Sequence, residues 1–185
     1  AVLTNVDNEA FKGLTNNCYL TLAAGQTDIS FMGGNLKWAG KSWKSITVGD
    51  KVYTQENGFI KLISGGKASG VIDGAGTDPS IINNQIVAAV NAGIAEFTVI
   101  NQLAVSNSIA GSVVGSAISQ LVSGQITLTL EDATDVPDGA FRECHALKQV
   151  SLPKATSIGN SAIKGCTGLT KVTFGAVLTN VDNEA

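Results

Sequence analysis

Cysteine and histidine are the residue types of this chain best suited to catalysis or metal binding. Cys144 and His145 are adjacent, Cys166 lies in a similar sequence context further on, Cys18 stands apart, and His145 is the only histidine. A zinc site needs four ligands, and a triad needs a histidine that meets both a nucleophile and a carboxylate. The chain has no Cys-x-x-Cys pair, and three cysteines do not suit a disulfide framework. We expect buried free thiols and a histidine in a surface turn, with a disulfide or soft-metal site at Cys144 and Cys166 as the alternative.

Two glycine-containing loops match ligand-binding motifs only in part. The segment from Asp73 to Asp78 is similar to a calcium loop but lacks oxygen ligands at alternate positions. The segment from Gly65 to Gly70 is similar to a phosphate-binding loop, but its Lys67 is not followed by serine or threonine. We interpret both as connections, and we predict no cofactor.

A group of acidic residues lies where a predicted strand meets a predicted helix. Its members are Glu131, Asp132, Asp135 and Asp138. Carboxylates at such a junction accept hydrogen bonds from the first helical amides and suit the positive end of the helix dipole. We favour this capping role over a weak cation site, and we predict no metal centre.

Both tryptophans of the chain fall close together in the sequence. Trp38 and Trp43 are interleaved with Lys37, Lys41 and Lys44. Tryptophan faces stack on sugar rings and on cations, while lysines attract anionic groups. This pattern predicts either a contact to a glycan or anionic polymer, with Trp38, Trp43 and Lys41 as candidates, or a pair of tryptophans that covers the open end of a core.

The composition excludes several classes of protein. The chain has 185 residues, of which 44% are hydrophobic, 15% charged and 5% aromatic, with 21 glycines and a net charge of −3. This charge gives no footprint for nucleic acid, and no apolar run approaches the ~18 residues of a membrane span. The first residues, Ala1 to Asp7, lack the basic start and apolar stretch of a signal peptide. Few charged and aromatic residues disfavour an enzyme with a dense polar site and indicate short repeated units.

Self-similarity is the strongest pattern in the chain. Residues 176–185 read AVLTNVDNEA, identical to residues 1–10, so the segment that opens the chain also closes it. Either a natural tandem period or a duplication introduced at the ends explains this identity. If the period is natural, both ends are open edges of a solenoid that could associate head to tail. The two copies of the segment should then adopt the same conformation, or one copy should pack against a neighbouring molecule.

A shorter period, of nearly constant length, recurs between the two copies of this segment. Val136, Ile158 and Val181 occupy one slot of successive blocks, and Val150 and Val172 occupy a later one. Each block opens with a turn-like or helical stretch and closes with an apolar-polar-apolar strand. One such unit cannot bury its apolar face alone and must stack on its neighbours. We predict strands near residues 20, 97, 128, 150 and 172, and helices over Ile81–Asn91 and Ser112–Val122.

The segment 26–76 has a different pattern, typical of antiparallel strands. Asp28–Phe31 and Ser45–Val48 are predicted strands, and Val52–Thr54 and Phe59–Ile63 form a predicted hairpin, since Asn-Gly at 57–58 is a strong turn signal. Gly65-Gly66 and the stretch 73–76 are predicted loose loops. We interpret this segment as a β-rich cap or insert.

Residues 136–174 resemble the BspA-like, treponemal-type leucine-rich repeats of bacterial surface proteins. The matching features are an Ile-Gly turn at 158–159, an Ala-Ile pair at 162–163 in place of Ala-Phe, Gly165-Cys166, Leu169 and the strand 172–174. The resemblance extends over 132–185 and, with Leu14 for cysteine and Asn17 for leucine, over 1–25. It implies a solenoid of short parallel strands, attachment to host matrix proteins or other bacteria, and a location outside the cell.

Strand alternation predicts a recognition face. If the apolar strand residues point inward, their neighbours form outward rows across the sheet. The first row is Tyr19, Glu96, Thr127, Gln149 and Lys171, and the second is Thr98, Thr129, Ser151, Thr173 and Thr21. The threonines are explained by a solvated strand alone. The mixed chemistry of the first row makes it the better candidate for ligand binding.

Together these patterns predict an α/β repeat solenoid, a leucine-rich-repeat-like right-handed superhelix with short parallel strands on one side and short helices or turns on the other. Its parts are a repeat at the array edge (1–25), the β-rich cap or insert (26–76) and the main solenoid (77–185). The predicted function is non-enzymatic adhesion to a host or bacterial surface protein. A carbohydrate-binding module centred on Trp38 and Trp43 is the alternative.

Overall fold

A nine-stranded sheet organises the described part of the chain. The computed structural model describes residues 11–26 (without 12 and 16), 28–74, 79–101 and 124–185. Its elements are β1 (Tyr19–Leu22), β2 (Lys37–Trp38), β3 (Lys41–Ser42), β4 (Ser45–Val48), β5 (Lys51–Glu56), β6 (Phe59–Ser64), β7 (Lys67–Asp73), α1 (Pro79–Asn91), β8 (Glu96–Ile100), β9 (Ile126–Leu130), β10 (Asp135–Val136), β11 (Leu147–Leu152), β12 (Ser157–Ile158), β13 (Lys171–Phe174) and β14 (Asn180–Val181). The order in the large sheet is β1-β4-β5-β6-β7-β8-β9-β11-β13.

The strands from β7 to β13 are parallel and form the repeat part of the sheet. Val150 pairs with Leu128 of the preceding repeat on one side and with Val172 of the following repeat on the other. Phe97 pairs with Leu128 in the same row. The burial of β8 and β9 alternates because every second side chain enters the core. The strands predicted near residues 97, 128, 150 and 172, and their register, are therefore confirmed.

Each repeat forms one turn of the solenoid, which we call a coil. The side of the coil that lies opposite the large sheet consists of turns and a narrow ladder of short strands. Val136 pairs with Ile158, and Ile158 pairs with Val181, so β10, β12 and β14 form a three-stranded parallel sheet. The predicted helix at 81–91 is confirmed as α1, which begins at Pro79 and ends at Asn91. It is the only helix in the described residues, so the prediction of an α/β fold holds in part. The predicted helix Ser112–Val122 lies outside the described residues.

The predicted β-rich segment is an antiparallel meander within the same large sheet. The hairpin at Asn57-Gly58 joins β5 to β6 and is confirmed. The prediction of a loose loop at Gly65-Gly66 was wrong, because these two residues form a tight turn with φ of 56° and 78° and connect β6 to β7. Positive φ at both central positions suits the twist of a two-residue hairpin and favours glycine. The predicted strand at 28–31 is reduced to a bridge between Ser30 and Lys37.

Two hydrophobic cores lie on opposite faces of the large sheet. The first core contains the inward residues of the repeats, such as Phe97 and Leu128, and is covered by α1 and the turns. The second core contains Val71, Ile46 and both tryptophans. Because Val71 pairs with Thr98, its side chain points to the face that is polar in the repeats. Both faces of the sheet are thus apolar at β6 and β7, where Phe59 and Ile72 enter the first core and Ile60 and Val71 the second, whereas the repeats are apolar on one face.

Close contact between coils depends on glycine at the turns. A Cβ atom at Gly159 would lie 2.5 Å from the backbone nitrogen of Asp138 in the preceding coil. The Gly159 amide donates a 2.7 Å hydrogen bond to the Val136 carbonyl, so the coils cannot separate without breaking this ladder.

We therefore expect Gly159→Ala to lower the free energy of unfolding by about 1–3 kcal/mol, the usual cost of overpacking a buried site. Urea denaturation measures this change. The exposed Lys148→Ala, in the preceding coil, is the matched control and should stay within about 0.5 kcal/mol of wild type. Equal stabilities for the two variants would show that the coils have room to move apart.

Candidate binding face

Four residues of the predicted first row lie side by side on adjacent strands. Glu96 pairs with Thr127, Thr127 with Gln149, and Gln149 with Lys171. At ~4.8 Å between strands, this row is about 14 Å long. We call it the mixed row. Its geometry is as predicted, and ligand binding by it stays a prediction.

The hydroxyl row lies next to the mixed row on the same face of the sheet. Its members Thr98, Thr129, Ser151 and Thr173 pair with one another in sequence across β8, β9, β11 and β13. The two rows together form the polar face. Hydroxyl groups that can donate and accept hydrogen bonds line its length.

The placement of Tyr19 in the mixed row was wrong. Tyr19 pairs with Ser45, and the row of paired residues runs on through the meander to Gly70 and then to Phe97. Because Phe97 points into the first core, Tyr19 lies on the face of the sheet opposite the mixed row. Thr21 pairs with Thr47 and is displaced from the hydroxyl row in the same way. Local alternation cannot reveal this, because the side-chain rows through the meander depend on which residues pair across its turns.

Charge is unevenly distributed along the mixed row. The Glu96 carboxylate forms a 2.7 Å ion pair with Lys67 of β7. At the other end, Lys171 is exposed, and it forms no ion pair with any residue that the structure describes. Lys171 can therefore contact a carboxylate of a ligand, whereas Glu96 is already partly neutralised. Gln149 and Thr127 between them supply uncharged donors and acceptors.

The second core forms a wall at the β7 end of the polar face. Val71 continues the hydroxyl row but is buried in that core. Ile100, at the end of β8, packs against the same core and pairs with Asp73. Met32 forms a bridge to Asp73 and is exposed. The polar face is therefore bounded on one side by apolar residues and is open towards β13.

Asp132 holds the ends of neighbouring strands together. Its carboxylate accepts a 2.7 Å hydrogen bond from the Asn101 amide and forms a 2.5 Å ion pair with Lys154. These contacts, chiefly the bond from Lys154, lower the pKa of Asp132, and the same bond raises the pKa of Lys154. Asn101 also donates a 3.1 Å bond to Asp73. The role of Asp132 is thus to connect successive coils.

The capping role predicted for the acidic group was wrong. Asp138 accepts a 2.8 Å hydrogen bond from the Asn160 amide in the next coil, and Asp135 accepts one from the Ser157 hydroxyl. Turns rather than a helix follow these residues, so the bonds connect one coil to the next. No cluster of three or more ligating side chains occurs in the described ranges.

The tryptophans belong to the second core, which corrects the prediction that they contact a glycan through their faces. Trp38 and Trp43 are 2% and 3% exposed. The Trp38 indole N–H donates a 2.9 Å bond to Asp28, and that of Trp43 donates a 3.1 Å bond to the Trp38 carbonyl. Phe11 packs on both rings at 6.0 and 5.2 Å. The alternative interpretation, two tryptophans that cover a core, describes this placement.

A polar cavity lies beside the edge of Trp43. Its volume is about 350 Å³. The lining residues are Asn17, Asn35, Ser42, Trp43, Lys44, Gln55 and Asn57. Lys41, the third candidate from the tryptophan motif, instead donates a 2.5 Å hydrogen bond to the Leu14 carbonyl. Four amide side chains converge here, a feature that the tryptophan and lysine spacing alone did not indicate.

The three cysteines are free thiols, of which Cys144 is buried and Cys18 and Cys166 are partly buried. Burial raises the pKa of Cys144 to about 12, and burial also raises the pKa of Cys166. The Cys166 thiol donates a 2.8 Å hydrogen bond to the Phe141 carbonyl. His145 is exposed, and its Nδ1 lies 2.9 Å from the Thr167 hydroxyl, as expected for a turn residue.

Comparison with known proteins identifies the repeats. Residues 115–185 match the family model of the BspA type leucine rich repeat region, in six copies. The family match begins upstream of residue 132, which is the first residue of the resemblance described from the sequence alone. No curated protein and no solved structure matches the chain. Within the described residues, no helix has the length and apolar character needed to cross a membrane.

The raised pKa of Cys144 predicts low reactivity in the folded chain. Only the thiolate is alkylated, and at pH 8 a thiol with a pKa near 12 is almost fully protonated. We expect iodoacetamide at pH 8 to modify Cys144 at least 100-fold more slowly in buffer than in 8 M urea, as followed by mass spectrometry of the peptide. Similar rates in both conditions would contradict the burial of this thiol.

Proposed function

We propose that this chain, whose residues 115–185 match the BspA type leucine rich repeat region, is a non-enzymatic module that binds a protein ligand outside the cell. The polar face is the proposed binding surface. Repeats of this kind serve as scaffolds that present an extended sheet to a partner. The proposed partner is a host or bacterial surface protein, and adhesion is the proposed outcome.

One observation carries this proposal: the mixed row and the hydroxyl row are partly or fully exposed, in register and bounded on one side by apolar residues. Such a surface offers hydrogen bonds at regular spacing to a ligand that lies across the strands. The ammonium of Lys171, which has no ion pair among the described residues, would select a carboxylate at one end of the ligand. Met32 and Ile100 would contact apolar groups at the other end.

The size of the polar face predicts weak binding by one unit. The side chains of the face span roughly 14 Å across the strands and about 7 Å along them, an area far smaller than the ~800 Å² per partner of a standard interface. A partner must therefore extend over the rim or engage several faces at once. Tandem units would raise the overall affinity by effective concentration, without new contacts in any one unit.

Binding to immobilised collagen, fibronectin and laminin, measured by surface plasmon resonance, tests the proposal. For any of these probes that binds wild type, we expect the double variant Gln149→Ala, Lys171→Ala to weaken binding at least tenfold, because it removes the hydrogen bonds and the exposed charge. Thr129→Trp should weaken it similarly by blocking the centre of the face.

Arg142→Ala is the matched control. Arg142 is an exposed cation in a turn next to Phe141, which is buried in the first core, so it lies on the other side of that core from the polar face. This variant should bind as wild type does. Binding that is lost with Arg142→Ala and kept in the polar-face variants would overturn the assignment.

Carbohydrate binding is the second candidate, and the cavity beside Trp43 favours it. Amide groups that converge on a cavity can pair with sugar hydroxyls as donors and acceptors. Gln55 already accepts a 3.4 Å bond from the Leu36 amide, which orients its side chain. Asn35 also lines the cavity, and its side-chain amide donates hydrogen bonds to two carbonyls of its own turn.

A glycan array tests this second candidate. If a glycan binds the wild-type chain, Asn57→Ala should abolish the signal, because Asn57 lines the cavity, while Gln149→Ala should leave it intact. A signal that depends on Gln149 and not on Asn57 would place glycan binding on the polar face instead.

A further inference from the structure

The last coil of the first core is incompletely covered. Val150 and Leu152 are each 1% exposed, whereas Val172 and Phe174, which occupy the same slots one coil later, are only partly buried. In the described residues, β13 has a hydrogen-bonded neighbour on one side alone. The C-terminal edge therefore presents both free backbone groups and an apolar row.

The N-terminal edge presents a second free strand. In the large sheet, as far as the described residues extend, β1 pairs only with β4. Tyr19 is 71% exposed and Leu14 is 46% exposed, although both side chains are largely apolar. Leu20 and Leu22 point to the opposite face and pack in the second core.

The repeated segment connects these two edges in sequence. Its copy at 176–185 opens a new coil: Val181 pairs with Ile158, and the Asp182 amide donates a 2.9 Å bond to the Ile158 carbonyl. In each of the two preceding coils, the same number of residues separates the strand of the narrow ladder from the strand of the large sheet. Val136 is as far from Val150 in the sequence as Ile158 is from Val172. If Ala185 is continued by the sequence that starts at Phe11, Leu20 follows Val181 at this interval too.

The two edges also match in direction and in face. Three antiparallel pairings separate β4 from β7, so β1 runs opposite to β13 within one chain. For its β1 to lie parallel beside β13, a second copy must be rotated by 180° about an axis that lies in the plane of the sheet and is perpendicular to the strands. The same turn exchanges its two faces, so its second core comes to lie against the first core of its neighbour.

We propose that a second copy of this chain docks on β13 and completes the coil begun by residues 176–185. Its β1 lies parallel to β13, so that Leu20 and Leu22 extend the inward rows of Val172 and Phe174. Ile46 and Val48, which pair with Leu20 and Leu22, continue these rows. The first core of one copy and the second core of the next become one continuous core.

This arrangement also explains the one error in the predicted mixed row. Beside Lys171, the Tyr19 of the second copy extends the mixed row, and Thr21 extends the hydroxyl row beyond Thr173. The spacing in the sequence thus describes a row that forms across the junction of two copies rather than within one. The proposal does not depend on what the polar face binds.

A tandem protein in which Ala185 is followed directly by Phe11 of a second copy tests the proposal. With Thr173→Cys in the first copy and Thr21→Cys in the second, oxidised glutathione should form a disulfide between the two residues, because they lie opposite each other on adjacent strands. Thr173→Cys with Thr47→Cys is the control, since Thr47 lies one strand further away. Tandems with each single replacement control for the native cysteines. Equal yields for the two pairs would overturn the proposal.

Hydrogen exchange of the unsubstituted tandem gives a second readout that does not depend on new cysteines. With nitrogen-15 in the first copy only, we expect the amides of Lys171 and Thr173, which point away from β11, to exchange at least tenfold more slowly than in the single chain. Unchanged exchange at these amides would show that β13 stays an edge strand, and the proposal would fail.

Discussion

The constraint on which this structure depends is that each coil must bury its apolar row against the next coil. One repeat unit offers only a few inward side chains, such as Val150, Leu152 and Phe141, and fully burying each contributes roughly 1.5–3 kcal/mol. The ordering of one such unit costs on the order of 20–40 kcal/mol in backbone entropy alone, so no coil is stable in isolation. Stability therefore comes from stacking, and stacking fixes the parallel register.

The register in turn determines where function can reside. Because the turns and α1 cover one face of the repeat strands, only the other face is free, and its side chains are set by the alternation of each strand. Polar contacts between coils, such as those of Asp132 and Asp138, keep this face in a fixed geometry. The meander uses the same sheet differently, since it covers the second face with the tryptophans and ends the polar surface in an apolar wall.

Features that depend on local sequence could be predicted, and those that depend on the course of the chain could not. The repeat strands, α1 and the turn at Asn57-Gly58 follow from spacing and turn chemistry. The position of Tyr19 could not be predicted, because it depends on residue pairing through a meander whose last strand was not recognised. The tryptophans and Asp138 have side chains that suit ligands or helix caps equally well, and only their neighbours in space decide between these roles.

A single sheet carries an open polar face in its repeats and a covered apolar face in its meander. Solvent paramagnetic relaxation, measured on methyl groups by NMR with a soluble gadolinium chelate, tests this most directly. We expect strong relaxation of the Thr98, Thr129 and Thr173 methyl groups and little relaxation of those of Val71 and Ile46, although all five lie on the same face of the sheet. Weak relaxation of the threonine methyl groups, or strong relaxation at Val71, would contradict it.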